Sequence, residues 1–227
     1  MIALMKKKLT LALMLAASIT LYFISVFCGW GNRWTTVFKC IPTLLLLAGT
    51  AFSLKGIGEG AGSAGREYIL GILALFFSFL GDLGGNLERL GGTMSFMLMI
   101  AGFLVAQVFY FTRALPLRDR GHYQYGLIIP LAVYVLVVGY IILSHIGGGF
   151  MAIGCAAYML VLAAMGYFTF REKAALKWVL VVGAALFIIS DSMIAINHFV
   201  VPVPGRRWVV MATYYAAQVM LNWRYSR

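Results

Sequence analysis

Residues 177–198 read KWVLVVGAALFIISDSMIAINH, twenty-two positions in which Asp191 is the sole carboxylate. About 20 apolar residues suffice to cross the hydrocarbon core of a bilayer, and in lipid the backbone must satisfy its own hydrogen bonds, so this run reads as a transmembrane helix. It is one of eight. Similar runs lie at 9–28, 34–54, 67–86, 94–112, 123–144, 150–170 and 206–223, separated by short polar or glycine-rich joints. The expectation is an all-α, polytopic membrane bundle forming a single integral membrane domain over 1–227.

The composition agrees. Of the 227 residues, 63% are hydrophobic and 11% charged, proportions outside those of soluble globular domains. A net charge of +11 invites a nucleic-acid reading, but the basic residues form short clusters between apolar runs instead of one patch. That pattern excludes a nucleic-acid partner and reads as orientation in a membrane. With the N-terminus inside, the inner segments hold Lys6, Lys7, Lys8, Lys55, Arg66, Arg113, Arg118, Arg120, Arg171, Lys173, Lys177, Arg224 and Arg227. The outer loops hold Arg33, Arg89, Arg206 and Arg207. Both termini are therefore expected in the cytoplasm. Lys6–Lys8 before an apolar run resembles a signal peptide, but a retained first helix suits the count better.

The chain repeats itself. Residues 74–82, ALFFSFLGD, parallel 185–191, ALFIISD, and each Asp is followed by Ala-Gln-Val, at 106–108 and 217–219. The repeat divides the chain into roughly 9–112 and 123–223, two four-helix halves of like orientation. A second motif fails on context. Gly60-Ala61-Gly62-Ser63-Ala64-Gly65 spells GxGxxG, but it follows a membrane helix where a dinucleotide site needs a strand, so the 56–65 joint reads as a flexible inner loop.

Few ionisable groups fall inside the spans: Lys39, Asp82 and Asp191, with His198 near a helix end. A carboxylate in hydrocarbon costs several kcal/mol and marks a functional path. Each Asp lies about 15 residues, or ~22 Å, beyond the cytoplasmic start of its helix, and Lys39 enters from the outer end, which puts all three on one level. One Lys beside two Asp leaves one carboxylate ionised and the other protonated, a general acid with a base or electrostatic stabiliser. Ser190 next to Asp191 favours its charged form and inclines the acid towards Asp82, though the residues leave either order open. Asn86, on the same helical face as Asp82, then Gln107, Ser190, Asn197, Tyr214, Tyr215 and Gln218 are expected around them, with His122 and His145 at helix ends on the surface. Cys28, Cys40 and Cys155 read as buried apolar thiols, without metal or disulfide spacing. No HxxxH pair supports a metal site, and no cofactor or protein partner is indicated.

The segments FSFLGD (77–82), LFIISDSMIAINHF (186–199) and ATYYAAQ (212–218), with Lys39-Cys40-Ile41-Pro42, resemble the lysoplasmalogenase (YhhN-like) family of membrane proteins. The resemblance implies hydrolysis of the vinyl ether bond of a lysoplasmalogen, giving a fatty aldehyde and glycerophosphocholine or glycerophosphoethanolamine. It places the family's paired aspartates on Asp82 and Asp191, and implies a lysophospholipid substrate drawn from membrane lipids. Lys39, or Arg206 and Arg207, would meet its phosphate. The alternative from the residues alone is a proton-coupled lipid or metabolite transporter using the same aspartates. Short loops without retention or lipidation signals point to a bacterial inner membrane.

Overall fold

The computed structural model describes residues 2–56, 62–87, 92–115, 125–170 and 177–222, without the side chains of 2–7 and Ser63. Among them are eight α-helices: α1 Ile2–Phe27, α2 Gly31–Lys55, α3 Gly62–Gly84, α4 Gly92–Ala114, α5 Tyr125–His145, α6 Gly149–Phe170, α7 Lys177–Phe199 and α8 Arg206–Asn222. Seven are long and apolar enough to span a membrane; α8, with 17 described residues and two arginines at its start, is the shortest. The chain is thus an all-α, multi-pass integral membrane protein. Its exposed large side chains are largely aliphatic or aromatic, as on Leu136, Tyr140, Ile153 and Leu160, the surface expected where the solvent is lipid.

The chain divides into two compact units, Met1–Tyr110 with Asn222–Arg227, and Phe111–Leu221. In the first unit α2 packs against both α1 and α3; in the second α6 packs against α5 and α7.

The glycine-rich joint corrects one expectation. Gly62 to Gly65 are not loop but the first turn of α3; residues 57–61 lie outside the described residues, as do Arg89, Arg118, Arg120, His122, Arg171, Lys173, Arg224 and Arg227. Cys28 is also corrected. It is exposed just past α1, whereas Cys40 and Cys155 are buried.

In the first unit α3 and α4 approach backbone to backbone. A Cβ on Gly102 would stand 2.7 Å from the amide nitrogen of Gly81 and 2.8 Å from its Cα; one on Gly84 would stand 3.0 Å from the backbone of Leu98 and Met99. Only glycine permits this spacing, a common way for membrane helices to gain dispersion contact without a hydrophobic driving force. Gly102→Ala is therefore expected to destabilise the protein by about 1–3 kcal/mol, read as a lower thermal midpoint in detergent, because backbone cannot swing aside as a side chain can.

α3 ends at Gly84 for a legible reason. Its last carbonyls have no intrahelical donors, and side chains from outside the helix supply them. Lys39 Nζ donates to the carbonyl of Asp82 at 3.2 Å and Ser95 Oγ to that of Gly84 at 2.6 Å. In the turn beyond, Asn32 Nδ2 donates to the carbonyl of Asn86 at 3.2 Å. A cation at a helix C-terminus also suits the helix dipole. α8 uses the same device: Arg113, buried at the end of α4, donates through Nη2 to the carbonyl of Leu221 at 2.9 Å. Arg113 thus lies inside a span, not in the loop where the sequence put it.

Candidate functional site

Among the described residues each unit carries one buried carboxylate with its own partners. In the first unit Asp82 occupies the last turn of α3 and is 1% exposed. A lone carboxylate at that depth would be untenable, and α2 supplies what it needs. Lys39 Nζ lies 3.3 Å from Oδ1, and the Thr43 hydroxyl donates to Oδ2 at 3.1 Å. Lys39 and Thr43 are one helical turn apart, so one face of α2 grips both carboxylate oxygens. Pro42 between them has no N–H to return to the carbonyl of Phe38, which relaxes α2 at this turn. The Lys39 side chain is 12% exposed, so the pair sits in a low-dielectric setting where each charge depends on the other.

In the second unit Asp191 lies on α7, 6% exposed. The Tyr158 hydroxyl from α6 donates to its Oδ2. Tyr158 escapes the sequence reading because it stands in the apolar run of α6, with no polar neighbour at helical spacing to flag it. Thr43 was equally silent, one of many hydroxyl residues in spans.

The expected surroundings are only partly met. Ser190 is buried but donates to the carbonyl of Val210 at 3.1 Å, binding α7 to α8 and not serving Asp191. The position of Ser190 therefore bears on neither order of the two aspartates, and Lys39 stands beside Asp82. Asn86 is corrected too. It follows the end of α3, in a turn whose amide bonds to the carbonyl of Leu83, so it shares no helical face with Asp82. Asn197 accepts from the amide of Val203 at 3.0 Å and so pins the 200–205 loop. Tyr214, Tyr215 and Gln218 are buried on α8; Gln218 Nε2 donates to the Tyr214 hydroxyl at 3.1 Å, and the Tyr214 ring meets the edge of Phe187. Gln107 is completely buried on α4. His198 is exposed near the end of α7, Arg206 and Arg207 are exposed at the start of α8, and His145 is exposed at the end of α5.

These features define a class: a multi-pass helical membrane protein that keeps carboxylates inside its bundle, one of them held by a lysine. Residues 34–224 match the YhhN family, and the chain belongs to it. It is similar to lysoplasmalogenase TMEM86B of Sus scrofa, 31% identical over 184 residues that make up 81% of this chain and 72% of that protein. Lysoplasmalogenase TMEM86B of Mus musculus is 34% identical over 53% of this chain and 50% of its own length. Lysoplasmalogenase TMEM86A of Bos taurus is 54% identical over a shorter stretch, 17% of this chain and 16% of its own. No solved structure matches the chain.

Proposed function

We propose that this protein is a lysoplasmalogenase, hydrolysing the vinyl ether bond of alkenyl glycerophosphocholine or glycerophosphoethanolamine to a fatty aldehyde and the glycerophospho headgroup. The observation that carries the reading is Asp82, a carboxyl group buried among apolar helices with Lys39 and Thr43 on its two oxygens. The names of the relatives, reaching over most of the chain, support it from outside.

The chemistry needs a proton at carbon and a negative charge near the cation that results. Protonation of the vinyl carbon remote from oxygen draws the π electrons into a C–H bond and leaves an oxocarbenium ion, the type of transition state that paired carboxylates serve in glycoside hydrolysis. Water adds to the cationic carbon, its proton leaves to a carboxylate, and the hemiacetal collapses with proton transfer to the glycerol oxygen. Asp82, ionised beside Lys39, is assigned the stabilising charge and the base. Asp191, whose Oδ2 accepts from the Tyr158 hydroxyl, is assigned the proton donor. This reverses the order that Ser190 suggested from sequence.

With Lys39 engaged by Asp82, the phosphate falls to Arg206 and Arg207, exposed at the start of α8. Cytoplasmic termini, and a bacterial inner membrane as the home of the protein, remain part of this proposal.

Tyr158→Phe deletes the hydroxyl that orients Asp191. A hydrogen bond to a charged or reacting carboxyl is worth about 1.5–3 kcal/mol, so the variant is expected to release aldehyde roughly tenfold to a hundredfold more slowly while keeping its thermal midpoint within a few degrees. The reading itself is tested with purified protein in detergent. Equal amounts of aldehyde and glycerophosphocholine from the alkenyl lysolipid, with the acyl lysolipid left intact, are expected. Cleavage of the acyl lysolipid instead, or of neither, would refute it.

A further inference from the structure

Two side chains in the first unit carry polar groups that the fold does not use. Gln107 on α4 is fully buried, and neither its Nε2 nor its Oε1 meets a hydrogen-bond partner among the described residues; the hydroxyl of Ser78 on α3, also fully buried, meets none. This is unlike other hydroxyls of the first unit. Ser18 and Ser25 return theirs to the carbonyl three residues back, and Thr50 and Ser53 to the carbonyl four back. An unmet amide or hydroxyl in an apolar interior costs on the order of 1–3 kcal/mol by mutational measure, so two together are not a packing choice.

Their placement is informative. Leu98 and Met99 lie against Gly84, Gly102 and Phe103 against Gly81, and the Phe109 ring stacks on Phe77. α4 thus runs antiparallel to α3, and this register brings Gln107 level with Ser78. Ser78 is one helical turn from Asp82, so it shares the face of α3 that carries the carboxylate. The order along that face is the Lys39–Asp82 pair, then Ser78 with Gln107 at its level, and beyond them apolar helix.

We infer that Ser78 and Gln107 hold the water that adds to the oxocarbenium ion, one turn from the Asp82 carboxylate that takes its proton. The inference rests on the hydrolase reading. A buried water needs two to four polar partners, and an amide NH2, an amide oxygen and a hydroxyl meet that need in a way no apolar pair could. Gln107 and Ser78 are positioning residues: they touch the nucleophile, not the lipid. Once the vinyl carbon is protonated the cation has two exits, capture by water or return of a proton to the carboxylate. A held water makes the first exit fast.

The test follows from those two exits. The protein is incubated with an alkenyl lysolipid in D2O, and the unreacted lipid is recovered and weighed by mass spectrometry. In the wild type every deuteron added to the vinyl carbon is carried into aldehyde, and recovered lipid stays unlabelled. In Gln107→Leu the cation survives long enough to lose hydrogen from the same carbon. Recovered lipid then gains one deuterium in amounts comparable with the aldehyde formed, and aldehyde release falls at least tenfold. Ser78→Ala shows the same labelling to a smaller extent, and tolerates the bundle core if the leucine variant does not fold. Aldehyde from the wild type with unlabelled lipid from both variants, at either normal or reduced rates, overturns this inference alone. No aldehyde from the wild type overturns the hydrolase reading and this inference with it.

Discussion

Asp82→Asn is expected to fold and to release aldehyde at least a hundredfold more slowly than the wild type, with a lowered thermal midpoint because Lys39 loses its counter-charge. The asparagine fills the same volume, can still accept from Thr43, and leaves Lys39 bonded to the carbonyl at residue 82. What it loses is the negative charge and the ability to take a proton, and general base catalysis of this kind contributes typically 10²–10⁴-fold. The measurement is aldehyde release alongside thermal unfolding in one detergent. A variant that keeps half the wild-type rate would show that the charge of Asp82 does no chemistry.

Lys39→Met is expected to have the largest effect on stability. It leaves the Asp82 carboxylate, 1% exposed, without its cation, and removes the donor that closes the end of α3. Breaking one side of a buried ion pair typically costs about 3–5 kcal/mol, whereas replacing both sides with neutral groups costs little. The double variant Lys39→Met/Asp82→Asn should therefore recover most of the thermal midpoint lost by Lys39→Met alone, and none of the activity. If the double variant is no more stable than the single one, Lys39 acts by capping α3 and not by balancing Asp82. The two roles divide cleanly in this pair of measurements.

Much of this was legible in the sequence. The apolar runs were read as eight spanning helices; all eight helices are there with ends displaced by a few residues, and seven are long and apolar enough to span. The displacements have causes: Gly62–Gly65 joins α3 because glycine is poor in helices but not barred from them, and α3 stops at Gly84 because Lys39 and Ser95 meet its carbonyls there. Depth alone put Lys39 level with both aspartates, each the rare charge in an apolar run, but did not say that its partner is Asp82. Tyr158 could not be read, because a tyrosine among apolar residues looks the same whether its hydroxyl faces lipid or a carboxylate 33 residues away. Ser190 shows the opposite failure. Adjacency in sequence suggested Asp191, but neighbours on a helix point about 100° apart, and its hydroxyl found Val210 instead. Asn86 was counted onto the face of Asp82 only because α3 was taken to run two residues further than it does.

The central claim is that the two intramembrane aspartates perform one vinyl ether hydrolysis. Its most direct test is aldehyde release from an alkenyl lysolipid by the purified protein, with Asp82→Asn and Asp191→Asn assayed beside it and each shown to be folded by its thermal midpoint. The account predicts aldehyde from the wild type and less than about one per cent of that rate from either variant. Near-normal release from either folded variant would contradict it.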